Sequence, residues 1–259
     1  MIALRGRERG RTRRVRAEAF SPRVLAGLLG WWEAARSTEL APGARVALWR
    51  DLSGNGRDAT QPLPERQPTL VADGVNGLPA LRFDGVEDVL VGRTGLAARS
   101  PLTLVAVVRV EAASPSGRVF SLGTLAPGEE LGVGVDAAGS RLALSTGLAP
   151  GTATGERATN VSALGWQVVS LVFVPAQAPE LRSTGGAPRG FSTPEDGTGL
   201  NVARGAADPL FALGAAVGGT GAPTRMLLAT ALLFGRALDA NERSQLERWL
   251  GGRYGLGVV

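Results

Sequence analysis

The chain has 259 residues, with 28 basic and 23 acidic side chains, a formal net charge of +5, and neither cysteine nor histidine. Without histidine there is no imidazole general base, no Ser-His-Asp arrangement and none of the common zinc or haem ligand sets, and without cysteine there is no thiolate nucleophile, iron–sulfur cluster or disulfide. A functional site in this chain would therefore have to use carboxylate, arginine, hydroxyl or backbone groups.

Residues 1–19 form a predicted basic arm. Its seven arginines are Arg5, Arg7, Arg9, Arg11, Arg13, Arg14 and Arg16, and the rest of the chain is nearly balanced in charge. The arm lacks the apolar run of a secretory signal, and no apolar run elsewhere approaches the roughly 20 residues that cross a bilayer, so we expect neither a signal peptide nor a membrane anchor. We expect the arginines to bind an acidic surface of a neighbouring protein. Nucleic acid is disfavoured, because no aromatic residue precedes Phe20 to stack on bases.

Residues 20–259 form the predicted domain. Short apolar runs alternate there with Gly, Pro, Asn, Asp and Ser, which is typical of an antiparallel sandwich. The predicted strands are residues 28–32, 45–49, 80–83, 89–91, 102–110, 118–122, 132–135, 142–145, 166–174, 211–215 and 226–234. Both alternating faces of 102–110 and 226–234 are mostly apolar, which predicts inner strands of a layered sheet.

Residues 175–209 form a predicted long loop, rich in turn-forming residues and poor in apolar ones. Long loops of this kind are usually functional or mobile, so we expect a binding surface there.

The last predicted element is a helix. Asp239 can cap its first turn, and Glu242 completes the spacing of a capping box. Gly251 and Gly252 are expected to end it. The apolar residues on its predicted inner face are Leu246, Trp249 and Leu250.

Three segments carry a family resemblance. They are WRDLSGNGRDATQ at 49–61, NGLPALRFDGVEDVL at 76–90 and ALLFGRALDANERSQLERWLGGRYGL at 231–256. In this order they resemble the concanavalin-like, laminin-G-like jelly-roll domains of bacterial surface proteins and phage virions, over about residues 20–256. The resemblance implies an all-β jelly-roll sandwich of two antiparallel sheets with one short C-terminal helix. Relatives with this fold include calcium-binding pentraxins and laminin-G modules, legume-type lectins and glucanases.

A calcium site is one implication of the resemblance. Calcium takes about six to eight oxygen ligands, and some of them could come from Asp51, Asn55, Asp58, Asp84 and Asp88. Asp and Asn also cap turns without any ion, so both roles stay open.

Enzyme activity is another implication of the resemblance, and the sequence disfavours it. The glucanase relatives use an E-x-D-x-x-E strand that sets carboxylates on one face, and this chain has no such strand. Its adjacent acidic pairs, at 129–130 and 195–196, lie in apparent loops, where alternation would point their side chains apart. We therefore expect that the protein is not an enzyme.

Two functions remain. The main prediction is a structural or adhesive component of a phage or phage-like particle, held by the basic arm as an oligomer or within an assembly, and made in the bacterial cytoplasm before display on the particle surface. The alternative is a carbohydrate-binding lectin module, calcium-dependent or not. Sugar sites combine an aromatic face with hydrogen-bonding groups, and the candidate contacts are Phe191, Trp32 and Asn201.

Overall fold

A computed structural model describes residues 20–37, 41–97, 100–111, 116–123, 130–135, 141–146, 157–162, 165–175, 177, 179–183, 189–190, 208–217 and 221–257. The basic arm and the two predicted sugar contacts Phe191 and Asn201 lie outside the described residues. The division of the chain at residue 20 and the partner of the arm therefore stay predictions.

The described chain is built mainly from β-strands. In chain order they are β1 (Leu28–Glu33), β2 (Leu48–Trp49), β3 (Ala59–Thr60), β4 (Thr69–Val75), β5 (Leu78–Asp84), β6 (Leu90–Arg93), β7 (Leu102–Val110), β8 (Arg118–Gly123), β9 (Glu130–Val135), β10 (Arg141–Thr146), β11 (Arg157–Ser162), β12 (Gln167–Phe173), β13 (Glu180–Ser183), β14 (Arg189–Gly190), β15 (Leu210–Leu213) and β16 (Arg225–Phe234). The α-helices are α1 (Ala34–Ser37) and α2 (Ala240–Tyr254), and short 3-10 turns span Pro22–Val24 and Pro64–Arg66.

The strands form two antiparallel sheets. The helix-side sheet has the order β14-β13-β12-β7-β16-β5-β4, with β1 also paired to β16, and the opposite sheet has the order β11-β10-β9-β8-β15-β6-β3-β2. This arrangement confirms the predicted all-β sandwich of two antiparallel sheets with a C-terminal helix. No helix in the described part of the chain is long and apolar enough to cross a membrane.

The central strands of the helix-side sheet are buried on both faces over most of their length. The inner face of this sheet packs on the opposite sheet in a core that includes Trp32, Trp49, Phe83, Phe120 and Phe211. Its outer face packs against α2 in a second cluster that includes Val105, Val107, Leu232, Leu246 and Leu250. Burial on both faces explains why β7 and β16 carry almost uninterrupted apolar sequences, as predicted.

Helix α2 begins as predicted and ends later. The Asp239 carboxylate accepts hydrogen bonds from the backbone of the first turn, and Glu242 completes the capping box. The prediction that Gly251 and Gly252 end the helix is wrong, because α2 continues to Tyr254 and stops at Gly255, which has φ +63°. Tyr254 is fully buried against the sheet, and its packing outweighs the low helix propensity of the two glycines.

A polar network fixes α2 on the sheet. The Arg243 guanidinium donates to Glu180 of β13 at 2.8 Å, and Ser170 of β12 donates its hydroxyl to Glu247. Arg243 and Glu247 are both buried, so their charges need these partners. The network holds the helix, and with it the side chains of its last two turns, in one position relative to the strands.

Candidate functional site

Three aromatic rings meet where the second half of α2 crosses β1. Trp249 of α2 lies edge-on to Trp31 of β1, with ring centroids 6.0 Å apart, and edge-on to Phe20, with centroids 5.9 Å apart. Trp31 is buried, whereas Phe20 and Trp249 are partly exposed. We call this group, Phe20, Trp31 and Trp249, the aromatic platform.

Two guanidinium groups flank the aromatic platform. The Arg36 guanidinium carbon lies 5.9 Å from the centre of the Trp31 ring, and that of Arg253 lies 5.9 Å from the centre of the Trp249 ring. The Arg36 side chain is 52% exposed and also lies 3.7 Å from the buried Glu33 carboxylate. The platform therefore combines apolar ring surface with charged hydrogen-bond donors at its rim.

Two polar groups beneath the platform, the Glu33 carboxylate and the Tyr254 hydroxyl, belong to buried residues. Arg253 donates to Glu33, and the Tyr254 hydroxyl lies 3.4 Å from the same carboxylate oxygen. Burial, and then the negative charge of Glu33, raise the pKa of Tyr254 far above its usual value, so its phenol stays neutral. Within the described residues the buried indole nitrogen of Trp31 has no hydrogen-bond partner. These groups support the rings from below and leave Phe20, Trp249 and Arg36 as the accessible part.

Trp32, a predicted sugar contact, lies in the core and not on the surface. It is fully buried, its ring centroid lies 4.4 Å from that of Phe211, and its indole N–H donates to the Arg57 carbonyl at 2.9 Å. The cause is strand alternation, which directs Trp31 to the outer face of β1 and Trp32 to the inner face. The sequence pattern assigned Trp249 to the inner face of its helix and so missed it as a surface residue.

Three of the five predicted calcium ligands organise one turn. The first Asp51 carboxylate oxygen accepts the backbone N–H groups of Trp31 at 2.9 Å and Ser53 at 2.8 Å, and the second accepts the Arg57 N–H at 3.0 Å. Asp58 accepts the Asp51 N–H at 2.8 Å, and the Asn55 amide donates to the backbone of β1. Both Asp51 oxygens and one Asp58 oxygen thus accept hydrogen bonds from the chain itself, and the Asn55 amide nitrogen donates to it, as Asp and Asn do in turns.

The other two predicted ligands form a second turn between β5 and β6. One Asp84 oxygen accepts the backbone N–H groups of Val86 at 2.8 Å and Glu87 at 3.2 Å, and Asp88 accepts the Asp84 N–H at 2.8 Å. Among the described residues no group of three or more acidic side chains could hold a metal ion. The structure therefore does not bring the five predicted ligands together.

Asp88 makes stability depend on pH. Burial raises its pKa to about 6, against an ordinary value of 3.8, although the Asp84 N–H opposes the change. Because the folded state binds this proton more tightly than the unfolded state, the contribution of Asp88 to stability is fully present below about pH 4 and is lost as pH rises to 6 and above. At about 1.4 kcal/mol per pH unit, we expect a fall on the order of 2 kcal/mol.

Urea unfolding of the wild type and of Asp88→Asn at pH 4 and pH 7 measures this fall. The change in stability from pH 4 to pH 7 should be less favourable in the wild type than in Asp88→Asn by this amount, whereas Glu65→Gln, which changes an exposed carboxylate, should behave like the wild type. An unchanged fall in Asp88→Asn would show that another group causes it.

No family model matches the chain, and no curated protein matches it. Among solved structures, the chain is similar to Trypanosoma rangeli sialidase, with 23% identity and a TM-score of 0.55 over 88% of this chain and 33% of the sialidase. The chain thus spans about a third of the length of that enzyme.

Two further similar structures are domains of larger proteins. Domain 4 of the extracellular GH43 arabinanase of Geobacillus stearothermophilus, solved in complex with arabinotriose, has 15% identity and a TM-score of 0.57, covering 85% of this chain and 98% of that domain. The binding domain of botulinum neurotoxin serotype D/C has 10% identity and a TM-score of 0.51, covering 86% of this chain and 52% of its own.

The sialidase likeness corrects the prediction that the protein is not an enzyme, because the chain aligns over most of its length with parts of enzymes. The prediction was based on the missing E-x-D-x-x-E strand of the glucanases. Sialidases are an exception to that paired-carboxylate mechanism, so the absence of the strand does not separate the chain from them. At these identities the likeness establishes the fold: the chain is a β-sandwich domain of a kind found in sialidases, an arabinanase and a neurotoxin.

Proposed function

We propose that the chain is a carbohydrate-binding domain and that the aromatic platform is its sugar-binding surface. The observation that carries the proposal is the pair of partly exposed rings, Phe20 and Trp249, held beside the Arg36 and Arg253 guanidinium groups. The likeness to an arabinanase domain solved with arabinotriose supports it, because this chain covers nearly all of that domain. Display on a phage or phage-like particle stays a prediction, and none of the proteins named above supports it.

The platform suits a sugar ring for a physical reason. One face of a sugar presents C–H groups that pack on an aromatic ring, while its hydroxyl oxygens accept hydrogen bonds from N–H donors at the rim. Trp249 is fixed by its edge-on contacts with Phe20 and Trp31. Little conformational entropy is therefore lost when a ligand binds.

Trp249→Ala tests the proposal. We expect at least a tenfold loss of glycan affinity, equivalent to about 1.4 kcal/mol, because the substitution removes the larger of the two accessible rings of the platform. Alanine favours helix, so α2 should persist. A glycan array that includes arabinan oligosaccharides identifies a ligand, and titration calorimetry then measures the affinity of the variant.

Leu63→Ala is the matched control, because Leu63 is an exposed apolar side chain outside the platform. It should bind like the wild type. A silent array, or equal affinity in Trp249→Ala and the wild type, would contradict the proposed function.

A further inference from the structure

Three arginines converge on one carboxylate at a second place on the outer face of the helix-side sheet. Arg82 of β5 and Arg109 of β7 each donate to the Glu111 carboxylate at 3.0 Å, and the Arg225 side chain of β16 lies 4.0 Å from its other oxygen. We call Arg82, Arg109 and Arg225, together with Glu111, the arginine cluster.

The strand register explains why the arginines share a face. Leu227 of β16 pairs with Arg82 on one side and with Arg109 on the other, and Arg225 lies two residues before Leu227. Residues paired across strands, and residues two apart along a strand, point to the same face. The cluster thus stands on three neighbouring strands that are about 4.8 Å apart.

The cluster carries more positive than negative charge. Burial would raise the pKa of Glu111, but hydrogen bonds from Arg82 and Arg109 and their charges hold that pKa below its usual value, so the carboxylate stays ionised. Among the described residues, Arg82 and Arg109 both pair with the single Glu111 carboxylate, which neutralises one of their two charges.

The guanidinium groups remain accessible. Arg82, Arg109 and Arg225 have 47%, 39% and 59% exposed side chains, whereas that of Glu111 is 12% exposed. The Arg109 guanidinium also lies 6.0 Å from the centre of the partly exposed Trp166 ring, which supports it from one side. Like charges on neighbouring strands destabilise a sheet, so an anion bound by these groups would relieve their repulsion.

We propose that the arginine cluster binds the carboxylate or sulfate group of an acidic glycan. Guanidinium groups bind both oxyanions through paired, charge-assisted hydrogen bonds. The inference rests on the proposed carbohydrate-binding function and adds the charge class of the ligand. Trp31 of the platform is paired to Leu232, seven residues beyond Arg225 on β16, or about 23 Å along the strand. Substitutions at the two places should therefore act independently.

The experiment measures binding of the full chain to oligosaccharides of equal length that are neutral, carboxylated (oligogalacturonate) or sulfated (heparin-derived). Inorganic sulfate and single-stranded DNA are the comparison anions. Arg82→Gln and Arg109→Gln should each weaken binding of an acidic oligosaccharide by about tenfold and leave binding of the neutral one unchanged. Thermal unfolding confirms that both variants fold, and each tests the cluster separately.

Arg50→Gln is the matched control, because Arg50 is exposed and follows β2 of the opposite sheet. It makes the same change in net charge, and the arginines of residues 1–19 are present in every variant. Equal weakening in Arg50→Gln and Arg109→Gln would overturn the inference, because it would show only long-range attraction. Tighter binding of DNA than of any glycan, or of inorganic sulfate without preference for a glycan, would also overturn it.

Failure of this inference differs from failure of the proposed function. If Trp249→Ala abolishes neutral glycan binding while Arg82→Gln and Arg109→Gln leave acidic glycan binding unchanged, the arginine cluster is not the acidic subsite and the domain still binds sugars. If no glycan of either kind binds, the proposed function itself fails.

Discussion

Trp32→Ala should destabilise the domain by about 3–5 kcal/mol, because truncating a large buried aromatic residue leaves a cavity that the surrounding core fills only in part. Trp32 is fully buried and packs on Phe120 and Phe211 of the opposite sheet, so it joins the two layers. The substitution also leaves the Arg57 carbonyl without the indole N–H that it accepts at 2.9 Å.

Urea unfolding gives the free energies for this comparison. Trp32→Phe keeps most of the ring contact and should lose less stability, while Trp249→Ala, at a partly exposed site, should lose less than Trp32→Ala. If Trp32→Ala were as stable as the wild type while sugar binding was lost, Trp32 would be a ligand contact and not a core residue.

The two central strands could be predicted because their own sequences carry the signal. Residues 102–110 were predicted as a strand and β7 has the same limits, while β16 begins one residue before the predicted 226–234. In both, each face is apolar, since one face meets the opposite sheet and the other meets α2 or its neighbours. A strand that is buried on both faces has an almost continuous apolar sequence, which can be recognised without knowing its partner strands.

The strands at the edge of the helix-side sheet or next to it could not be predicted in the same way. Strand β4 was missed because Asp73 and Gly74 break its apolar alternation, and the structure accommodates them at an irregularity between Val71 and Val75. Strand β13 falls inside the predicted loop 175–209, and its pairing with β12 defines it. Such strands depend on tertiary context more than on local propensity.

The candidate sites depend on relations between distant residues. Trp249 is accessible because of where β1 and Phe20 meet α2, and the sequence of the helix alone does not indicate that it is exposed. Arg82, Arg109 and Arg225 become neighbours only through the registers of β5, β7 and β16. Neither the exposure of Trp249 nor the proximity of the three arginines can be predicted from composition or motif spacing.

Asp51→Ala should destabilise the domain by about 2–4 kcal/mol, because it removes a carboxylate that serves four donors at once. These donors are the backbone N–H groups of Trp31, Ser53 and Arg57 and the Ser53 hydroxyl, at 2.7–3.0 Å. Partly buried donors left without an acceptor are costly. Asp51→Asn keeps one carbonyl oxygen and should lose roughly half as much, since two of the donors can still be satisfied.

The effect of calcium on stability distinguishes a turn-organising role of Asp51 from a role as a metal ligand. If Asp51 organises the turn, the melting temperature of the wild type should be the same with calcium and with a chelator, and the cost of Asp51→Ala should be equal in both. If Asp51 binds calcium, the ion should stabilise the wild type by mass action and have no effect on Asp51→Ala. We expect the first result, because the backbone N–H groups and the Ser53 hydroxyl already occupy both carboxylate oxygens. Stabilisation of the wild type by calcium, lost in Asp51→Ala, would contradict it.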